Sequence, residues 1–165
     1  MKHSFLISFF IGVAFFSCKR YPQINIKQCK VLDDTSLIKS IKERFINAND
    51  DTLWRLSFAI DYKGNGYRLI DKENKWNNKF SEDYFDIIIK YVDENYLVLY
   101  CPRSGIASVY KLFGTKSHDI YLINRKDGVI KMSFKAEEGV VNSIVRNNTI
   151  YFEFYEPYQI KYYPL

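Results

Sequence analysis

Hydrophobic positions along this chain follow two rhythms. Leu37, Ile38, Ile41 and Phe45, with Ile46 behind them, recur at three- and four-residue steps, the spacing of one helix face. Asp33-Asp34-Thr35-Ser36 stands just before and offers side-chain oxygens to the free amides of a first turn. Asn47-Ala48-Asn49-Asp50-Asp51 ends the pattern, so one helix is expected over about 35–47. Elsewhere the period is two, or the run is apolar throughout. Strands are expected over 53–62, 67–71, 84–92, 96–101, 120–124, 129–134, 140–145, 149–155 and 158–163, with a short one near Ile24 and Ile26. Ile106 to Phe113 is a further candidate.

Turn chemistry divides these strands into hairpins. Gly64-Asn65-Gly66 and Asn147-Asn148 suit the left-handed backbone of a tight turn. Asp93-Glu94-Asn95 and Arg125-Lys126-Asp127-Gly128 mark two more. The polar stretch from Asp71 to Glu82 reads as a loop around Trp76. Regularly spaced short strands argue a mainly β fold, an antiparallel meander or a two-layer sandwich or barrel with one N-terminal helix. Ile87-Ile88-Ile89 and Tyr96-Leu97-Val98-Leu99-Tyr100 are apolar on both faces, which predicts cover from both sides. Asp119-Ile120-Tyr121-Leu122-Ile123-Asn124 followed by Lys126-Asp127-Gly128-Val129-Ile130 is similar to the outer hairpin of a β-propeller blade. That leaves blade-like units as an alternative, although the chain is short for a propeller.

The first twenty residues belong to another class. Met1-Lys2-His3 is a short basic start, and Ser4 to Ser17 is an apolar stretch rich in Phe, Leu and Ile. This is the anatomy of a secretory leader. It is shorter than the ~20 apolar residues of a membrane span, and Phe15 disfavours an ordinary secretory cut. The run Ala14-Phe15-Phe16-Ser17-Cys18 resembles the lipobox of bacterial lipoproteins. The resemblance implies an acylated Cys18 as the first mature residue, a membrane partner reached through that lipid, and a periplasm-facing place in the bacterial envelope. It divides the chain into a leader over 1–17, a lipidated tether running into a first strand over 18–30, and a single β-rich domain over 31–165. Lys19, Arg20, Lys27 and Lys30 follow the anchor, as a solvated tether or in contact with anionic headgroups.

Charge and composition narrow the function. The 165 residues carry a net charge of +5, and the leader holds one basic residue and no acid, which leaves 23 basic and 19 acidic residues and a net of +4. Charges of both signs are interspersed, without the basic stripe of a nucleic-acid binder. Cys29 and Cys101 remain once Cys18 is acylated. In an oxidising compartment they are a candidate disulfide, the alternative being two buried thiols. No CxxC spacing occurs, and no glycine loop that would cradle a nucleotide, so neither metal nor cofactor is expected. His118 is the only histidine outside the leader, and Asp119 beside it on a strand points to the opposite face. No GxSxG elbow exists. Asp33-Asp34, Asp50-Asp51 and Glu137-Glu138 sit at expected turns or caps. No catalytic residue is assigned.

The aromatic residues are the better lead, at 18% of the chain. In Ile150-Tyr151-Phe152-Glu153-Phe154-Tyr155 alternation puts Ile150, Phe152 and Phe154 on one face and Tyr151, Glu153 and Tyr155 on the other. Tyr158, Tyr162 and Tyr163 follow. Exposed tyrosines offer large area and a hydroxyl at low entropy cost. The candidate binding residues are therefore Tyr151, Tyr155, Tyr158 and Tyr163, together with Arg103, Lys111, Lys116 and His118 in the irregular segment from Pro102 to Asp119. The expectation is a non-enzymatic binding or scaffold lipoprotein with a protein or glycan partner. The alternatives are an immunity-type inhibitor, a barrel holding a lipid or small ligand, and a small periplasmic enzyme.

Overall fold

The computed structural model describes residues 21–50, 56–64, 66–80, 84, 86–103, 117–137, 139–155 and 158–165. The chain is mainly β, with one helix and three sheets. The first sheet carries β1 (Gln23–Asn25), β6 (Ile88–Val92), β7 (Tyr96–Pro102), β8 (His118–Asn124) and β9 (Ile130–Ala136) in the order β1-β9-β8-β7-β6. The second has β10 (Val140–Arg146), β11 (Thr149–Phe154), β12 (Ile160–Pro164) and the two-residue β2 (Lys30–Val31). The third joins β3 (Phe58–Tyr62), β4 (Tyr67–Asp71) and β5 (Trp76–Phe80). All pairings are antiparallel except β1 with β9. None of the three sheets closes, so the barrel alternative gives way to stacked open sheets.

Side-chain alternation builds the stack. Val98, Ile120, Leu122 and Phe134 on one face of the first sheet meet Val145, Ile150, Phe152 and Phe154 of the second. The rings of Phe134 and Phe152 lie 4.9 Å apart, edge to face. Leu97, Leu99, Cys101, Tyr121 and Ile123 face the other way, onto Phe58, Leu69, Trp76 and Phe80 of the third sheet. The first sheet is thus the middle layer, which explains its loss of polar alternation. Helix α1 (Thr35–Asp50) covers the outer face of the second sheet, where Ile41 and Phe45 pack on Ile144, Tyr151 and Ile160. Asp34 caps this helix by accepting from the Leu37 amide at 3.0 Å. The helix therefore covers a different sheet from the two-sided apolar strands.

Two expectations need correction. The polar stretch after Asp71 is not wholly a loop, because Trp76–Phe80 forms β5. The hairpin of 119–130 is not an outer one: β8 is central, and with β6, β7 and β9 it forms one meander in one sheet. Asn147 and Asn148 do carry the left-handed turn, with φ of 47° and 55°. The candidate strand 106–113 lies outside the described residues, as does the leader. Among the described residues no helix is long and apolar enough to cross a membrane.

Candidate functional site

The corner between β11 and β12 brings part of the aromatic set to the surface. Tyr155 and Tyr158 are 59% and 77% exposed, and their rings lie 5.6 Å apart. Beside them a groove of about 200 Å³ runs between α1 and the β2 edge of the second sheet. Ile160 and Leu32 contribute its buried apolar part, Ile38 and Lys42 come from consecutive turns of the helix, and Glu153 and Tyr158 come from the sheet side. Local sequence explains the geometry. Glu153 falls on the helix-facing side of β11 by alternation, and the side-chain amide of Asn142 on β10 donates to it at 2.6 Å. The groove can stack an aromatic or sugar face on a tyrosine and offer one cation and one anion to polar groups. Its lining holds no Ser, Cys or His that would serve as nucleophile or base.

The other predicted binding residues do not join this site. Tyr151 is buried under the helix, its ring 6.2 Å from that of Tyr162, so alternation placed it on a second core face. Tyr163 is half-buried, edge to face with Phe134 at 5.7 Å. His118 is not a loop residue; it is buried at the start of β8, its ring 4.7 Å from that of Tyr100. Arg103 is committed to an ion pair with Asp119 at 2.7 Å. Lys111 and Lys116 lie outside the described residues. Cys29 and Cys101 are both free and buried. They pack on opposite faces of the middle sheet, so the candidate disulfide is replaced by two thiols. Burial pushes Cys29 up to about 11, and Cys101 rises for the same reason. Lys27 pairs with Glu137 at 2.5 Å.

A buried polar cluster escaped the sequence reading. The Tyr84 hydroxyl donates to Asp119 at 2.6 Å and also meets the hydroxyl of Tyr121. The Arg103 guanidinium closes the cluster onto the same Asp119 oxygen through Nε at 3.0 Å and Nη2 at 2.7 Å. Desolvation, then the hydrogen bond to Asp119, pushes the Tyr84 phenol far up. Tyr121 is raised mainly by burial. The available signal was Asp119 itself, an acid interrupting an apolar strand. Arg103 ties the end of β7 to the start of β8 through Asp119, and its amide donates to the Ser117 carbonyl at 3.3 Å. Among the described residues no group of three His, Cys, Asp or Glu side chains forms a metal-binding set. No protein-family model and no curated protein sequence matches the chain.

Proposed function

We propose that this protein is a lipid-anchored envelope module that binds a protein or glycan partner without turning it over. The leader ending at Cys18 supports the anchor and the periplasm-facing placement. The observation that carries the binding reading is the exposed Tyr155–Tyr158 pair beside the groove of α1 and the second sheet. Rigid aromatic side chains on a corner held by two strands lose little entropy on binding, which is why such residues dominate contact energies. An immunity-type inhibitor is a special case of this reading, in which the partner is a toxin meeting the protein at the membrane.

The test is a cross-linked capture from native envelopes with full-length wild type, Cys18→Ala and Tyr155→Ala/Tyr158→Ala. One stoichiometric protein or glycan partner, captured by the first two and lost from the third, is the expected result. Each exposed tyrosine contributes about 1–2 kcal/mol if it is an anchor of the contact, so the double substitution weakens capture by more than tenfold while leaving the thermal midpoint unchanged. Equal capture by the tyrosine variant would remove this corner from the binding surface. Mass spectrometry of the mature N-terminus reads the acyl group on Cys18 directly.

A further inference from the structure

The third sheet carries a charge arrangement that its own packing does not explain. A cavity of about 220 Å³ opens at the end where the β3–β4 hairpin meets β5, lined by Lys63, Gly66, Tyr67, Arg68, Lys79 and Phe80. Arg68 and Lys79 are register partners on neighbouring strands, so two cations stand directly opposite each other. Like charges in that relation destabilise a sheet. Among the described residues neither makes an ion pair or a hydrogen bond. Asp61 faces Arg68 across β3 and β4, but it also holds Lys63 at 3.4 Å. An anion seated between Arg68 and Lys79 would remove the repulsion, and the cavity has room for several water-sized volumes of ~30 Å³ each.

Two further observations say which anion. Tyr62 and Tyr67 pair at the same end of the sheet at 5.0 Å, on the face opposite Arg68 and Lys79, and Tyr62 is 57% exposed. A sheet end that carries cations on one face and an exposed tyrosine on the other has the chemistry of a tip that rests in the headgroup region of a bilayer. The cavity also lies close to the root of the tether. Phe80, in its lining, packs on Tyr121 at 5.3 Å, and Tyr21 packs on the same ring at 6.0 Å. Cys18 is three residues before Tyr21, a reach of roughly 10 Å for extended chain.

We infer that the basic end of the third sheet binds the phosphodiester headgroup of an anionic lipid and so brings that end of the sheet to the bilayer that holds Cys18. The inference rests on the lipid-anchor reading for its placement. Anchoring through Cys18 makes the second contact intramolecular, so a weak headgroup site suffices. The tyrosine corner at β11–β12 belongs to the second sheet, across the middle layer from the third, which leaves it turned away from the membrane for a partner.

The test uses the full chain in neutral detergent micelles, titrated with short-chain phosphatidylglycerol, short-chain phosphatidylcholine and inorganic phosphate. Backbone amide shifts of Gly66, Tyr67 and Phe80 are the readout. Saturable, salt-sensitive shifts with phosphatidylglycerol are expected, with none from phosphatidylcholine and much weaker ones from phosphate. At roughly fivefold per cation near a charged lipid surface, Arg68→Gln/Lys79→Gln should weaken the response about thirtyfold. That variant should fold at least as stably as wild type, because it removes a like-charge pair. Lys72→Gln, in the β4–β5 turn away from the cavity, should bind as wild type does. Absence of localised shifts overturns the inference, as does phosphate binding as tightly as the lipid or an equal loss from Lys72→Gln. Intact mass of the same sample reports Cys18. Shifts on an unacylated protein would fail the anchor reading and keep the site, and an acylated protein without shifts would fail the site alone.

Discussion

Asp119 shows how much a single buried charge organises here. It is 4% exposed, and one of its oxygens accepts from both Tyr84 and Arg103. Removing one partner of such a pair leaves the others desolvated and unmatched, a larger loss than the pair's net worth. Arg103 is 42% exposed and can turn to water, so Asp119→Ala should cost about 2–3 kcal/mol, at or just below the low end of the buried-pair range. Tyr84→Phe removes one neutral donor and should cost about 1 kcal/mol. Urea midpoints at constant slope test both, and a tyrosine variant that costs more than the aspartate variant would refute the assignment of Asp119 as the hub. The same burial predicts alkaline sensitivity. Cys29 is pushed up to about 11 and Tyr100 to about 12 by desolvation, and Tyr84, Tyr91 and Tyr121 also rise. Each group is neutral when protonated and holds its proton more tightly in the folded chain. Above the ordinary values of 9.0 for the thiol and 10.0 for the phenol, the unfolded chain therefore binds fewer protons, and stability falls as pH rises. Calorimetry should show a thermal midpoint that these groups leave level up to about pH 9 and then lower steadily. A midpoint that climbed beyond pH 10 would contradict the directions of all five groups.

Among the elements, β5 best shows what the sequence could and could not say. Its inward positions are Trp76, Asn78 and Phe80, and its outward ones are Asn77 and Lys79. Asparagine at the central inward place hid the alternation, yet its side-chain amide donates to the Gly128 carbonyl at 2.7 Å, across to the β8–β9 turn. Trp76 reaches the same turn, donating from Nε1 to the Arg125 carbonyl at 2.6 Å. Arg125 answers with bonds to Asp71 at 3.2 Å and Glu73 at 2.5 Å. These are polar contacts between distant segments, and periodicity within one segment carries no trace of them. The helix, by contrast, was legible because its stripe and its Asp34 cap are local. Tyr151 was misjudged for the opposite reason: its face alternated correctly, but a helix covers that face. The docking of the turn is testable through two glycines. Gly128 has a φ of +71°, and an added Cβ would meet the Trp76 ring at 2.7 Å. Gly64 has a φ of +39° with nothing within 4 Å. Gly64→Ala should cost about 1 kcal/mol for the left-handed backbone alone. Gly128→Ala should cost about 2–4 kcal/mol, because overpacking adds to that strain. Equal losses would mean that the turn does not bear on Trp76.

At the scale of the whole molecule, the segment from Gln23 to Val31 is stitched into two sheets. β1 lies beside β9 at one edge of the middle sheet, and a few residues later β2 lies beside β12 at the edge of the second. Between them Asn25 and Gln28 form a reciprocal cap on a single 3₁₀ turn, and Ile26 buries itself between the layers at 1% exposure. Any force on an acylated Cys18 would therefore enter the core directly, and the short strands also cover edges that would otherwise offer unpaired backbone to another chain. Since only the 3₁₀ turn and Cys29 separate β1 from β2, loosening that segment should loosen both sheets together. Ile26→Ala should cost about 2–4 kcal/mol as a large-to-small change in a packed core. Its effect should be seen at once by helical circular dichroism, which reports α1 on the second sheet, and by fluorescence of Trp76 on the third in a Trp54→Phe background. Coincident urea transitions in wild type and variant are the expected outcome for layers that share one cooperative core. If the variant's helix melted before Trp76 changed its environment, the stack would be two folding units, and the middle sheet would not couple the third sheet to the layer that carries the tyrosine corner.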